Sequence, residues 1–527
     1  MPDDLAHVLL DQPTGEPSPA TSEPAGGART PGGRLRGLGR PSGLIGWLLV
    51  AIAALGMFIS TPPSAGSDEP AQELTAWYLS GHGLPPTSVE WFSVPVSFSV
   101  ESCLKTSTTN ASCVPPRSTD QVMVSSSRVL TYAPPYYWVV GAGQRLAASW
   151  VGVEYADIGG RLTSFILNFG ALLLLSLYMR RRNLWWGPLL LIVSTPTAVF
   201  LGTVVNPSGW EITSGIVMAA ILAEAVWSRR SLGSDAWPKT TTLVLVVASL
   251  ALSLVRPLGF VWAAGLTVSA FALAPSLNRR LLVRVACAVA PGIVLGLLWT
   301  LGHHELGPQA GAETSPTTVT SLIAWFAMSL ALLPVRMWQM FGVLAVTPAP
   351  VLLFFANVLA WGGLLFRLRA IRKAAMMCGV FGIVILPSVI ETAGWAFWPA
   401  WWQGRYTLPF ALGFALLLLL RSGQLIPRAI SVVSGICLLS LGLMVWINAF
   451  RYDFGVDLLG VPVSLGQQGI SPVRLWLSMG VGTLLLLVSI YLLVRARRMR
   501  PDLRPGIEPE MLAAPPAALP SEGRAEA

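Results

Sequence analysis

Charged residues are scarce in this chain: only 12% of its 527 residues are Asp, Glu, Lys or Arg, whereas 53% are hydrophobic and the mean hydropathy is +0.62. A soluble globular domain carries about 25% charged residues, so the composition excludes that class. What the sequence has instead is a series of apolar runs of span length, from residues 44–60 to residues 475–494. Because lipid cannot satisfy free backbone groups, these runs predict membrane-spanning helices.

The chain also lacks the motifs of nucleotide binding. It contains neither a G-x-x-x-x-G-K-[ST] phosphate loop nor a Rossmann glycine fingerprint after a strand. Its net charge of +9 does not indicate a nucleic-acid partner, because the Lys and Arg residues lie mainly in short segments between apolar runs, as the positive-inside rule expects. Nucleotide-dependent mechanisms and nucleic-acid binding are therefore disfavoured.

Histidine and cysteine are rare as well, with four and five residues. The adjacent His303 and His304 point apart on a helix and have no further His-x-x-x-His partner, so no zinc site is predicted. Cys103 and Cys113 both fall in the long segment after the first span. We expect a disulfide between them if that segment is extracytoplasmic, although spacing alone does not establish it.

The apolar runs and basic clusters predict an all-α, polytopic integral membrane protein with about twelve transmembrane helices. The predicted spans are 43–61, 158–178, 185–204, 211–228, 240–255, 257–275, 283–301, 349–366, 374–393, 407–421, 427–448 and 474–494. The predicted location is the cell membrane, with both termini in the cytoplasm. Disordered tails are predicted at 1–42 and 495–527, on either side of a transmembrane domain at 43–494.

The largest extracytoplasmic loop of this arrangement is 62–157. Within it, residues 70–80 and 144–155 are predicted to form short interfacial helices. The apolar stretch 322–333 is short and is followed by proline and arginine. We interpret it as a further outer-surface helix, although a span there is an open alternative.

Ionisable residues near the predicted spans gather at their outer ends, and the midplane is almost free of charge. Such residues are costly near lipid and tend to mark function, which makes the outer face the predicted working surface. A membrane enzyme can use a lipid-linked sugar there, and sugar transfer from a lipid phosphate needs a base and cations for the departing phosphate. Asp68 is the candidate base, and Arg256 and Arg405 are the candidate phosphate ligands. Equally, Arg256 can be a snorkelling residue in a tight turn.

An outer hairpin tip, NPSGWEI, supplies two more candidates for substrate binding. Asn206 can bond a sugar hydroxyl, and Glu211 can be a second carboxylate. The alternative is that Ser208 caps the helix that Glu211 helps to start.

Aromatic segments supply the remaining candidates. Gln403 and Tyr406 follow a Trp-rich approach at 395–402, and Tyr136 lies in YAPPYYW. These segments can line a groove for a sugar or a prenyl chain. An aromatic belt at the bilayer interface accounts for the same composition.

The acidic stretch SAGSDEPAQELTAWY suits a helix start as well as catalysis. Ser67 or Asp68 is well placed to cap a helix at 70–80, because acidic groups stabilise the positive end of a helix. Asn caps as well as Asp, so Asp68→Asn is expected to keep the cap and to remove the base.

Five segments in this order resemble the GT-C superfamily of polyprenyl-phosphate-sugar-dependent glycosyltransferases, specifically its poorly characterised bacterial multi-pass branch. They are SDEPAQELTAWYLSGHGLP, PPYYWVVG, NPSGWEI, MFGVLAVTPAP and QGRYTLP. The resemblance implies a GT-C-like fold, with Asp68 or Glu69 as the base. It also implies an inverting transfer of a hexose or pentose from a polyprenyl-phosphate donor to a glycan or lipid acceptor of the cell envelope. Characterised members often carry a second acidic residue at the next outer tip, where this chain has Asn206, so the use of a divalent metal stays open.

Two other functions fit the same spans. A transporter or flippase of lipid-linked glycans would show repeats, broken spans and ionisable residues near the midplane, none of which is clear from the sequence. A non-catalytic partner in envelope assembly would use the fold to bind lipid or glycan. The donor sugar, the acceptor and the oligomeric state are not defined by the sequence.

Overall fold

The structure of this chain is a computed structural model that describes part of its length. The described residues are 42–66, 68–86, 91–95, 98, 110–113, 122–125, 127, 129–180, 185–227, 239–274, 279–303, 318–341, 351–366, 377–392, 402–421, 427–456 and 470–498. The predicted tails fall almost entirely outside these ranges, as does Cys103, so the tails and the Cys103 to Cys113 disulfide stay predictions.

The described residues are mostly helical. The helices are α1 Ser42–Ser60, α2 Glu69–His82, α3 Pro135–Trp150, α4 Ala156–Met179, α5 Trp186–Val193, α6 Pro196–Leu201, α7 Pro207–Trp227, α8 Lys239–Ser253, α9 Gly259–Ala272, α10 Arg279–Gly302, α11 Val319–Ala331, α12 Leu333–Phe341, α13 Val351–Phe366, α14 Met377–Ile390, α15 Gly404–Arg421, α16 Pro427–Phe454 and α17 Pro472–Arg498. Helix α14 contains a π-helical turn at Phe381–Ile385. Short 3₁₀ turns lie at Ala111–Cys113 and Val153–Tyr155.

Among the described residues, one small sheet interrupts this helical pattern. Strands β1 Phe92–Pro95 and β2 Val122–Ser125 pair antiparallel, with Phe92 opposite Ser125. The sheet lies within the segment 62–157, for which the sequence predicted only short helices. Because this sheet has only two short strands and the other described elements are helices, the fold class remains all-α.

Seven of the described helices are long and apolar enough to cross a membrane, and the protein is accordingly a multi-pass membrane protein. They are α1, α4 with the turn before it, α7, α10, α15, α16 and α17. The pair α11 and α12 would make an eighth if it is one span, since the two helices meet at an angle of 41°. Helices α8, α9, α13 and α14 are apolar but shorter.

Eleven of the twelve predicted spans coincide with a single helical segment, but the prediction of one continuous span at 185–204 is wrong. The chain there forms α5 and α6, separated at Ser194 and Thr195. The residue before a proline avoids the helical region, and Thr195 is extended at φ −66° and ψ 155° before Pro196. Its side chain then accepts a hydrogen bond from the backbone N–H of Ala198, which caps α6.

The interfacial helices fit the prediction unequally. Helix α2 matches the predicted 70–80 closely. Helix α3 begins at Pro135, well before the predicted 144, because proline suits the first helical turn. Both helices pack on each other, and α3 also packs on α4.

Helix α7 lies at the centre of the bundle. In its most apolar window 83% of residues are buried, against 22% in α17, whose apolar side chains face outward. Helix α15 packs along α7, where a Cβ on Gly215 would lie 2.7 Å from the carbonyl oxygen of Pro409. Such an approach admits only glycine, so the two helices are held unusually close.

Candidate functional site

The turn between α1 and α2 contains two non-glycine residues in the left-handed region. Ser64 has φ 57° and Asp68 has φ 58°. This region is uncommon for residues with a side chain, but Asp and Asn tolerate it best. Asp68 precedes α2 directly and yet makes no side-chain cap hydrogen bond. The prediction that Asp68 caps α2 is therefore wrong, and the alternative cap, Ser67, lies outside the described residues.

The Asp68 carboxylate instead forms an ion pair with Arg405, in the first turn of α15. An Arg405 Nη2–H donates to Asp68 Oδ2. The Arg405 side chain is 1% exposed, whereas that of Asp68 is 51% exposed. The Arg405 guanidinium is thus buried, and the Asp68 carboxylate that pairs with it can be reached by solvent or a ligand.

The ring of Tyr406 lies beside two guanidinium groups. The Cζ atoms of Arg256 and Arg405 are 4.3 and 5.1 Å from its centroid, within the range of a cation–π contact. Arg405 Nη2 also donates to the Tyr406 hydroxyl at 3.3 Å. Arg256 comes from the turn between α8 and α9, so residues about 150 positions apart meet at one ring, as the predicted phosphate site requires.

Arg256 is fixed further by α7. Its Nη1 donates to the hydroxyl of Ser208 at 2.5 Å. Asn206 Oδ1 accepts the backbone N–H of Ser208 at 2.9 Å, which makes Asn206 the cap of α7. The alternative in which Ser208 is the cap is therefore wrong, because Ser208 is the second residue of α7 and Asn206 precedes the helix.

Glu211 lies one turn along α7 from Ser208 and is 2% exposed. Its Oε2 has no hydrogen-bond partner among the described residues. Arg256 and Arg405 are the cations that act on it electrostatically. A buried carboxylate oxygen without a donor costs free energy unless a ligand or a proton compensates it.

The other two candidates for substrate binding lie in different surroundings. Tyr136 is 3% exposed, and its hydroxyl is 3.2 Å from the hydroxyl of Ser164 on α4. Burial raises the pKa of Tyr136 above its ordinary value. Gln403 is half-buried directly before α15, and its carbonyl accepts the N–H of Tyr406. Gln403 thus borders the site. Tyr136, on α3, packs against α4 and reaches the backbone of Asn206, the residue before α7.

Glu69 is next to Asp68 in sequence but is fully buried. Its Oε1 accepts from Arg161 Nε at 2.6 Å and from the backbone N–H of Val205 at 2.9 Å, and its Oε2 accepts from Gly66 N and from Arg161 Nη2. Arg161 also donates to the carbonyls of Thr61 and Pro62. This network ties α1, α2 and α4 together.

Sequence reasoning missed the role of Arg161 and a second buried ion pair, Arg336 with Glu391. Glu391 Oε1 accepts the backbone N–H of Trp402 at 2.7 Å, and the Trp402 ring packs edge-on against Tyr406 at 5.8 Å. A usable signal existed, because ionisable residues inside or beside predicted spans require a partner of opposite charge.

The first turn of α15 is also held by α12. The backbone N–H of Gly404 donates to Gln339 Oε1 at 2.8 Å. Together with the bond from Trp402 to Glu391, this contact fixes the backbone at Trp402 and Gly404, just before Arg405 and Tyr406. The start of α15 is therefore positioned by neighbouring helices as well as by its own packing.

Residues of the metal-binding types are scattered. Within the ranges that the structure describes, no group of three His, Cys, Asp or Glu residues could hold a metal ion. The ring of His303 stacks on Trp299 at 3.9 Å, and its Nδ1 lies 3.0 Å from the Trp299 carbonyl.

The site can therefore do two things chemically. Arg256 and Arg405, brought together at Tyr406, offer guanidinium groups to an anion such as a phosphate. Asp68, half-exposed at the edge, can accept a proton from a group that approaches from outside.

Comparison with known proteins places these residues within one family match. The model of a family described as "Predicted membrane protein (DUF2142)" matches residues 52–414, which is more than half of the chain. The matched region runs from α1 into α15 and contains Asp68, Glu211, Arg256 and Arg405. The search of curated proteins and the search of solved structures returned no match.

Proposed function

The chain belongs to the DUF2142 family of predicted membrane proteins, and on that premise we propose that it is an inverting glycosyltransferase. It transfers a sugar from a polyprenyl-phosphate donor to a glycan or lipid of the cell envelope. The observation that carries the proposal is the meeting of Asp68, Arg405, Tyr406 and Arg256. A base and two phosphate ligands, drawn from three distant parts of the chain, are what this chemistry needs.

In the proposed reaction, the oxygen of an acceptor hydroxyl attacks the anomeric carbon of the donor sugar. The bond between that carbon and the phosphate oxygen breaks, and its electron pair stays on the phosphate. The hydroxyl proton passes to Asp68, which later releases it to water. Arg256 and Arg405 stabilise the charge that develops on the departing polyprenyl phosphate.

The ion pair between Asp68 and Arg405 fits a resting state of this reaction. A phosphate that binds Arg405 competes with Asp68 for the same guanidinium, because both are anions. Donor binding would then release the Asp68 carboxylate for proton transfer. Glu211 is buried beside both arginines, and its free Oε2 is suited to accept a hydrogen bond from a sugar hydroxyl.

The resemblance to GT-C enzymes extends the proposal to topology. We propose that the four shorter apolar helices and the broken segment of α5 and α6 also cross the membrane, which gives about twelve spans, a GT-C-like arrangement and cytoplasmic termini. The end of the bundle that carries α2 and the start of α15 is then extracytoplasmic, where polyprenyl-phosphate sugars and envelope acceptors are available.

A transporter or flippase of lipid-linked glycans is the second candidate, because the structure has features that such proteins use. Helices α5 and α6 form a broken segment, and α11 and α12 meet at 41°. Discontinuous helices of this kind line substrate sites in transporters. Transport would move the donor intact, whereas transfer would cleave it.

The test uses purified full-length protein in liposomes with polyprenyl-phosphate sugars of several kinds. Cleavage or transfer that releases polyprenyl phosphate, and that is lost in Asp68→Asn, supports the enzyme. Arg405→Gln should also lose activity, while Arg421→Lys, at the opposite end of α15, should not. Movement of intact donor across the bilayer without cleavage would overturn the glycosyltransferase and support transport.

A further inference from the structure

Glu73, one turn after Glu69 on α2, is a buried carboxyl that the proposed reaction does not use. It is 0% exposed. Its Oε2 accepts the hydroxyl of Ser64 at 2.6 Å, but its Oε1 has no hydrogen-bond partner among the residues described. A buried carboxylate normally collects several donors, and this one has a single hydroxyl.

The charged groups around Glu73 would not neutralise a negative charge on its carboxylate. The neighbouring charges are the carboxylates of Glu69 on α2 and Asp157 on α4, and the guanidinium of Arg161 on α4. Arg161 directs its hydrogen bonds to Glu69 and to two backbone carbonyls. Two acids are paired with a single cation even before Glu73 is counted, so an ionised Glu73 would add uncompensated negative charge in a buried place.

Gln144, on α3, has the same deficiency, an acceptor oxygen without a donor. It is 0% exposed, and its Oε1 also lacks a partner within the described parts of the chain. Its Nε2 donates to the backbone carbonyl of Glu73 at 3.2 Å, so the amide lies beside the backbone of Glu73. Turning the amide over would set Oε1 against that carbonyl, which fixes its orientation.

We propose that Glu73 is a proton-binding site, in which the side chain is a neutral carboxylic acid whose Oε1–H donates to Oε1 of Gln144. A single proton then satisfies two buried acceptors that otherwise have no donor. Oε2, the carbonyl oxygen of the Glu73 carboxylic acid, keeps the hydrogen bond from the Ser64 hydroxyl.

The bound proton has a structural consequence for the turn between α1 and α2. Ser64 sits in the left-handed region at φ 57°, and its hydroxyl is anchored on Glu73. The same turn presents Asp68 to Arg405. The buried Glu73 side chain therefore helps to hold the turn in the conformation that displays Asp68, and the proton lets it do so without a buried charge. This inference stands whether or not the protein transfers sugars.

Infrared spectroscopy of the purified full-length protein near neutral pH tests the proposal. A protonated carboxylic acid has a C=O band apart from that of carboxylates, and the band shifts in D₂O. Glu73→Gln should remove one component of this band, while Glu154→Gln, at the turn before α4, should leave it intact. Glu73→Gln should fold, because an amide can donate to Gln144 and accept from Ser64.

A second variant tests the partner. Gln144→Leu removes the proposed acceptor and should shift the Glu73 component to higher frequency, since the acid would lose its hydrogen bond. A band that is unchanged in Glu73→Gln, or a Glu73 component that does not move in Gln144→Leu, would overturn the proposal. Neither measurement involves a glycosyl donor, so their failure is distinct from failure of the proposed function.

Discussion

The guanidinium carbon of Arg256 lies 4.3 Å from the ring centroid of Tyr406, although the two residues are far apart in the chain. Arg405, next to Tyr406 in sequence, approaches the same ring at 5.1 Å and also reaches its hydroxyl. Two cations near each other would repel in a buried place. The electron-rich ring and the carboxylates of Asp68 and Glu211 offset this repulsion.

Replacing Tyr406 separates the contribution of its ring from that of its hydroxyl. Tyr406→Phe keeps the ring and loses the contact with Arg405 Nη2, so it should weaken binding of polyprenyl phosphate only slightly. Tyr406→Leu also loses the two cation–π contacts, each about 0.5–2 kcal/mol, and should weaken binding by roughly 5-fold to several hundred-fold. Titration of the reconstituted protein with labelled polyprenyl phosphate measures this order. Tyr491→Leu, at an exposed tyrosine of α17, should have no effect.

Two adjacent acids should respond oppositely to loss of charge. Glu69→Gln breaks a fully buried pair with Arg161 and should cost about 3–5 kcal/mol, seen as a large fall in the unfolding temperature. Asp68→Asn keeps a residue that tolerates positive φ, so its unfolding temperature should be close to that of the wild type. Its transfer activity should fall by a factor of about 10²–10⁴. Thermal unfolding and the transfer assay, run on both variants, check this. Full activity in a folded Asp68→Asn protein would remove Asp68 as the base.

Glu73 should make the stability of the protein depend on pH. Burial first, and then the carboxylates of Glu69 and Asp157, raise the pKa of Glu73 well above its ordinary value. Its stabilising contribution is therefore complete below the unfolded-state pKa of about 4.3 and is lost as the pH rises through the folded-state pKa. The unfolding temperature of the wild type should fall relative to that of Glu73→Gln as the pH rises. A constant difference across the pH series would contradict this.

The pair of Arg336 and Glu391 should show strong coupling. Glu391→Leu leaves a buried guanidinium unpaired and frees the N–H of Trp402, so it should cost about 3–5 kcal/mol. Arg336→Met should be costly for the matching reason. The double variant should be less destabilised than the sum of the two, because neither charge is left alone. Unfolding temperatures of the four proteins form the cycle, and simple additivity would show that the pair is not coupled.

Gly141 on α3 should be irreplaceable, whereas Gly170 on α4 should not. A Cβ on Gly141 would fall inside contact distance of the Ala76 carbonyl oxygen on α2, while a Cβ on Gly170 would meet nothing within 4 Å. Gly141→Ala should therefore separate α2 from α3 and cost about 1–3 kcal/mol. Gly170→Ala should be neutral or stabilise by up to about 1 kcal/mol, since alanine favours helix. Thermal unfolding of the two variants tests the contrast.

Much of the helical framework could be predicted because it depends on local properties. Apolar length and flanking charge located α1, α7 and α16, and an acidic start with proline located α2. The break between α5 and α6 was also readable from Pro196, had its effect on the preceding residue been given more weight than hydropathy.

The site was less predictable, because its contacts join residues that are distant in sequence. Asp68 looked like a helix cap, yet its partner is Arg405, and no local pattern connects them. Arg256 and Arg405 were identified by residue type and by their position near span ends, which did not reveal that they share the ring of Tyr406. Glu69 is paired with Arg161, and Glu73 lies beside Gln144. The sequence alone could not predict either pairing.

The left-handed backbone at Asp68 has a consequence for comparing related chains. Steric strain at φ 58° favours Gly, Asn and Asp at this position, whatever the chemistry. A base requires a carboxylate, which among these three only Asp provides. A relative with Gly or Asn there would keep the shape of the turn and lack the base, so substitutions at this single position can separate inherited geometry from inherited catalysis.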